Sequence, residues 1–184
     1  MPSMDPDDRQ NTQRQLNLWA PWRMEYIDSL SGDDGGCFLC RVRADAEHDR
    51  SNLVLWRGRR SLAVLNRFPY TGGHTLVAPY EHLAGLDQLD GDTMLEMMRM
   101  VRDLQKALTE AVRAQGFNIG INIGRCAGAG LPGHLHIHVV PRWNGDTNFI
   151  SVLGGARVIP VTLEKLLDEL ARASRDLGLP KLED

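Results

Sequence analysis

The sequence predicts an α+β domain built on one antiparallel sheet, and three observations carry that prediction. Short runs of branched apolar residues are separated by turns rich in Gly, Pro and Asn, so strands outnumber helices and connect tightly. A single long stretch, 90–115, repeats its apolar residues with a helical period. The run Gly133-His134-Leu135-His136-Ile137-His138-Val139-Val140-Pro141-Arg142 alternates with period two, which predicts a strand with His134, His136 and His138 on one face and Leu135, Ile137 and Val139 on the other.

Residues 1–15 are almost devoid of apolar side chains and cannot repay the entropy of ordering, so a flexible polar tail is expected, with one domain over 16–184. Leu16 to Ile27 then gathers Trp19, Trp22 and Tyr26 around Pro21, a residue suited to the first turn of a helix. Aromatics at that density pack on the core or on a second subunit. Cys37-Phe38-Leu39-Cys40 has the two-residue gap that lets two thiolates reach one metal ion. A redox role for the pair wants a thioredoxin-like βαβ context, which the neighbouring sequence lacks. Two cysteines make half a tetrahedron, and His48, His74 and His82 are the histidines outside the triad that could help complete it.

Leu53–Trp56 and Leu62–Asn66 read as a hairpin across the basic turn Arg57–Arg60. His74–Ala78 is the next strand, stopped by Pro79. Asn66 has the ordinary role of a turn former, and His82 that of a surface loop residue. On the helix, Met94, Met97, Val101, Leu104, Leu108 and Ala111 form the apolar stripe, with Gly116 where a C-terminal cap belongs. The methionines at 94, 97, 98 and 100 suit adaptable packing. Phe117–Ile123 is a strand feeding a loop of small residues, and a last amphipathic helix covers about 162–176.

Composition limits the function. At 184 residues the chain can bury a core unaided, and its 42% hydrophobic and 24% charged content is that of a soluble domain. A net charge of -3 leaves no cation excess for nucleic acid. No apolar run approaches the roughly 18 residues of a membrane span, and the N-terminus does not read as a signal peptide, so the expected location is cytoplasmic. Three cysteines, an odd count, do not read as a disulfide framework, and Cys126 reads as a small loop residue with an oxidisable thiol.

The histidine run admits three readings from its residues alone. It is a histidine-rich strand face or a His-x-His metal site, or its imidazoles serve phosphorus chemistry beside the loop Asn122–Pro132, whose small residues let backbone N–H groups approach an anion. A neutral imidazole fixed by a hydrogen bond through one nitrogen can attack phosphorus through the other.

His134-x-His136-x-His138-Val139-Val140, preceded by Asn122-x-Gly124 and a small-residue loop, resembles the histidine-triad superfamily of nucleotide hydrolases and transferases. Asn66-x-x-Pro69 and Gly73-His74-x-Leu76-Val77-x-Pro79 look like that family's nucleoside-side segment. Leu18–Arg23 and Pro141-Arg142-Trp143 through Phe149 resemble its bacterial adenylyltransferase-like branch, which contains diadenosine tetraphosphate phosphorylases. The resemblance implies a five-stranded antiparallel sheet with one long helix, peripheral N- and C-terminal helices, and a homodimer. It implies that His136 is the nucleophile and His138 its catalytic partner, with Asn66, His74, Asn122, Gly124, Gly128, Ala129, Gly130 and Trp143 binding substrate. It also implies a structural zinc held by Cys37, Cys40, His82 and His134. The implied activity is phosphorolysis of diadenosine polyphosphates through a nucleotidyl-histidine, with inorganic phosphate as acceptor. Alternatives are hydrolysis of dinucleoside polyphosphates or nucleoside phosphoramidates, nucleotidyl transfer to a sugar phosphate, and a binding module without turnover. Several hydrolases of the family carry Gln or Ser in the small-residue loop where this chain has Ala127-Gly128-Ala129-Gly130, so a side-chain donor to the bridging phosphates is missing.

Overall fold

The structure, a computed structural model, describes residues 36–146 and 161–182. The expected tail, the aromatic segment Leu16–Ile27 and residues 147–149 lie outside the described residues.

A short helix α1, Phe38–Ala44, buries Leu39 and Val42, one turn apart, in the core. The sheet follows: β1 Val54–Arg57, β2 Ser61–Leu65, β3 Thr75–Pro79, β4 Gly116–Ile121 and β5 Ile137–Arg142. Its order is β1-β2-β3-β5-β4, and every neighbouring pair is antiparallel. The long helix α2, Gly91–Val112, carries the chain from β3 to β4 and packs on β2, β3 and β5. Helix α3, Leu163–Leu177, lies against α2 and β1. The five-stranded α+β expectation therefore holds.

Local chemistry sets the ends of the helices. Asp90 accepts the Thr93 N–H at 3.0 Å and Thr162 accepts the Lys165 N–H at 3.3 Å, each quenching one orphan donor of a helix start. Gly178 closes α3 in the left-handed conformation. Helix α2 ends differently from expectation: Arg113, not Gly116, takes the left-handed cap with φ 56°. The cause is the adjoining ladder, since Gln115 N already donates to Arg142 O at 2.9 Å and Gly116 pairs with Arg142. The helix must stop before that pairing begins.

The stripe on α2 is also shifted. Met97, Met100, Val101, Leu104, Ala107 and Leu108 are buried, whereas Met94 is 40% and Met98 50% exposed. Beside Met100 on the buried face, Glu96 reaches the β1–β2 turn, accepting from Arg59 N, Arg60 N and Ser61 Oγ at 3.2, 3.0 and 2.6 Å. Gly58 makes this possible, because a Cβ there would collide with Glu96 Oε1 and lie 2.8 Å from Met100 Cε.

The histidine strand needs correction in two respects. It begins at Ile137, so His134 lies in the bend that closes the preceding turn and His136 in the residues leading into β5. Nor is one face open and the other core: His134 and His136 are as buried as Leu135 and Ile137.

Candidate active site and metal cluster

The antiparallel register decides which residues share the histidine side of the sheet. Cross-strand partners point the same way, so Leu76 of β3 and Gly120 of β4 flank His138. Ile121 pairs with Ile137, which brings the start of the small-residue loop, Asn122, alongside His136.

At 2.8 Å from the backbone oxygen of His134, Nδ1 of His136 must be the protonated nitrogen, since a carbonyl only accepts. Nε2 of His136 is thereby left with its lone pair. Burial lowers the pKa of this imidazole, with the His134 carbonyl pulling the other way, so the ring stays neutral at physiological pH.

A second chain of bonds fixes His138. Tyr70 N donates to His74 Nδ1 at 3.2 Å, so His74 carries its proton on Nε2. That N–H points to His138 Nδ1 at 3.0 Å, which makes His138 Nε2 the protonated, donating nitrogen. Burial, reinforced by the charges of His138 and His136, pushes the His74 pKa down to about 3 and keeps it in this neutral role. Tyr70 stacks on the His74 ring at 4.7 Å, and the His136 and His138 rings meet edge to face at 4.8 Å. Asn66 closes the far end, its Nδ2 lying 3.3 Å from His74 Nδ1 and its Oδ1 accepting from Phe68 N at 3.0 Å.

The expected substrate-binding residues thus divide. His74 is 1% exposed and has both nitrogens engaged, Nδ1 by Tyr70 N–H and Nε2 by His138. Trp143 gives its indole N–H to Val112 O at 3.0 Å and packs against the core. The loop departs from an open amide cradle. Gly128 N donates to Arg125 O at 3.0 Å, and Ala127 N and Ala129 N both donate to Gly124 O at 3.3 Å. Gly124 and Gly128 adopt positive φ, 81° and 82°, to make this compact turn, while Asn122 Nδ2 braces Gly128 O at 3.4 Å. Gly130 follows, half-buried, and Cys126 is exposed at the tip.

Beyond His134 lies a cluster of two thiols and two imidazoles that could hold a metal ion. Nδ1 of His134 is 3.1 Å from Cys37 Sγ and 3.6 Å from Cys40 Sγ, and Nδ1 of His82 is 3.3 Å from Cys40 Sγ. All four donor atoms lie within 4.8 Å of one another, and the described residues contain no other such group. A tetrahedral zinc with ordinary bond lengths sets its S and N ligands about 3.5 Å apart, so the separations fit. The protonation state fits as well: His134 Nε2 donates to Pro79 O at 2.9 Å, leaving Nδ1 as a bare lone pair aimed at the thiols. Burial raises the Cys37 pKa, a cost that a bound cation reverses. The other two histidines are elsewhere: His48 bonds Asp45 at 2.6 Å, and His74 bonds His138. The Tyr70 and Pro79 backbone contacts had no sequence signal, because any residue could supply them.

The comparisons agree with this geometry. The HIT domain family model matches residues 48–145. The chain is 38% identical over 151 residues to the AP-4-A phosphorylase of Mycobacterium tuberculosis, covering 79% of this chain and 77% of that protein. It is 33% identical over 93 residues to the asymmetrical bis(5'-nucleosyl)-tetraphosphatase of Schizosaccharomyces pombe, half of each chain. Among solved structures, a zinc-bound histidine triad family protein from Mycobacterium smegmatis superposes with a TM-score of 0.64 at 30% identity, covering 78% of this chain and 96% of that one.

Proposed function

The chain belongs to the HIT domain family, and from that premise we propose that it is a nucleotidyltransferase that phosphorolyses diadenosine polyphosphates through a nucleotidyl-His136 intermediate. The observation that carries the reading is the His136 tautomer: Nδ1–H is tied to the His134 carbonyl at 2.8 Å, so Nε2 holds the attacking lone pair.

Nε2 of His136 forms a bond to the terminal α-phosphorus of diadenosine tetraphosphate as the bond to the bridging oxygen breaks, and ATP leaves. His138 Nε2–H donates to the oxygen that gains charge. Inorganic phosphate then attacks the phosphoramidate from its own oxygen, the P–N bond breaks, and ADP and the neutral imidazole are regenerated. The relative from Mycobacterium tuberculosis, matched over most of both chains, favours phosphate over water as acceptor. Hydrolysis, giving ATP and AMP, is the second reading, favoured by the shorter match to the yeast tetraphosphatase.

Cys37, Cys40, His82 and His134 would hold zinc in a structural role, since four protein ligands leave no open coordination position. When bound, it would tie α1 to the segment that carries His136. A homodimer is supported by the edge strand β4, where Ile119 is 43% exposed, and by the exposed Met94, Leu95 and Met98 of α2. No helix among the described residues is long and apolar enough to cross a membrane, and we assign the protein to the cytoplasm.

Chromatography of the products in phosphate buffer and in phosphate-free buffer tests the reading. ATP with ADP is expected in phosphate, and AMP as the sole second product moves the assignment to hydrolase. Alkaline quench and mass spectrometry should find one added AMP on the wild type and none on His136→Gly, whose turnover falls by several orders of magnitude.

A further inference from the structure

The compact loop raises a question of charge: its amides at 127–129 are spent on the loop's own carbonyls, so the phosphates beyond the attacked phosphorus need another surface. The neighbouring strand supplies one. Asn118, Gly120 and Asn122 of β4 and its exit alternate on the histidine side of the sheet, about 6.8 Å apart. Gly120 is the Cα partner of His138 and Asn118 that of Val140. Asn118 and Gly120 are exposed, and a Cβ built on Gly120 meets no atom within 4 Å. The strand therefore leaves an open floor beside His138.

Asn118 is not randomly oriented at the end of that floor. Arg142 donates to Asn118 Oδ1 at 2.8 Å, which turns the amide so that Nδ2 is the end presented away from the guanidinium. Arg142 is itself held by Asp146 through bonds of 2.6 and 2.7 Å, and Asp146 also accepts from Trp143 N at 3.2 Å. The clamp neutralises the cation and leaves a fixed neutral donor.

We propose that Asn118 and Gly120 form a subsite for the polyphosphate-linked second nucleotide, Gly120 by leaving the floor clear and Asn118 by donating Nδ2–H to a phosphate oxygen. The chemistry recognised is a phosphate chain longer than the nucleoside monophosphate that His136 would take up. The proposal deepens the reading above and rests on it for the position of the attacked phosphorus. It also gives Trp143 and Asp146 a purpose, since the turn they close sets Arg142 and, through it, the Asn118 amide.

The test is a ratio of affinities, measured by calorimetry on the full chain with two probes: a methylene-bridged, uncleavable diadenosine tetraphosphate, and AMP. Gly120→Val adds a side chain where no protein atom stands, and its branched form suits a strand. Asn118→Asp keeps an acceptor for Arg142 while replacing the donor with a negative charge. Each variant should lose tenfold or more in affinity for the long probe relative to AMP, with the wild-type melting temperature retained. An unchanged ratio in both folded variants, or equal losses for the two probes, overturns the subsite. Because binding is read without turnover, a wild-type protein that binds the long probe selectively yet cleaves nothing defeats the phosphorolysis reading and leaves the subsite standing.

Discussion

The backbone oxygen of His134 accepts the Nδ1–H of His136 at 2.8 Å while the His134 side chain lies 3.1 Å from Cys37 Sγ. One residue therefore faces the metal cluster through its ring and the proposed nucleophile through its carbonyl. Its third contact, Nε2–H to Pro79 O, anchors it to the end of β3. With both ring nitrogens and the carbonyl engaged, a metal held by this ring would also steady the carbonyl that orients His136.

From that joint follows the first prediction. Elemental analysis should find one zinc per chain, and Cys37→Ser or His82→Ala should lower metal content and melting temperature together. Turnover should fall as well, although neither residue would touch substrate. A variant that keeps full metal and melting temperature sinks the ligand assignment.

His74 supplies the second. His74→Phe keeps the stacking on Tyr70 but removes the Nε2–H that sets the His138 tautomer. The expected loss is about 10- to 100-fold in kcat with little change in KM, and His74→Gln should restore part of it. Nitrogen-15 NMR should show the His138 proton moving between ring nitrogens in the Phe variant. A loss confined to KM would mean that His74 contacts substrate after all.

How far these arrangements were legible in the sequence follows from what each depends on. The ligand atoms of Cys37, Cys40, His82 and His134 converge as the family resemblance implied, whereas spacing alone gave the cysteine pair and did not choose among His48, His74 and His82. The sheet and both long helices were legible through their periods. The His74 relay was not, since its first link is the Tyr70 backbone N–H, which no side-chain pattern encodes. The loop failed for a related reason: small residues permit an amide cradle and equally permit a turn that consumes its own amides, and the choice is made by the φ values at Gly124 and Gly128. At the end of α2 a long-range pairing to β5 overrode the local preference for a glycine cap.

The Glu96 contact gives the third prediction. Its carboxylate satisfies two backbone N–H groups and one hydroxyl at the β1–β2 turn, so Glu96→Ala leaves three donors unpaired, the buried Ser61 hydroxyl among them, and should cost about 2–3 kcal/mol. Gly58→Ala should also destabilise, because the added methyl displaces the same carboxylate. Urea unfolding measures both, and their effects should be less than additive, since each breaks the same contact. Full additivity would separate the two residues.

The last prediction concerns acid stability and rests on Asp103. Its side chain is fully buried on α2, paired with Arg102 at 3.0 Å and Lys106 at 3.6 Å, and accepting from Lys181 N at 2.7 Å. Burial alone would raise its pKa, but the Arg102 hydrogen bonds, the Lys181 N–H and the two cations outweigh burial and hold it below the ordinary value. A carboxylate depressed on folding stabilises the native state above its unfolded pKa, and that contribution is lost as pH falls through the lower, folded value. Asp103→Asn should therefore destabilise at pH 7 by about 1–3 kcal/mol, since it removes the charge while sparing an acceptor for Lys181 N. Below about pH 4 the unfolded chain takes up the proton first, and the two proteins should converge as pH falls on toward the lower, folded value. Thermal unfolding from pH 7 down to pH 3 reads the difference directly. A gap in melting temperature that stays constant over that range would mean that Asp103 acts through shape, not charge, in fastening the C-terminal segment to α2.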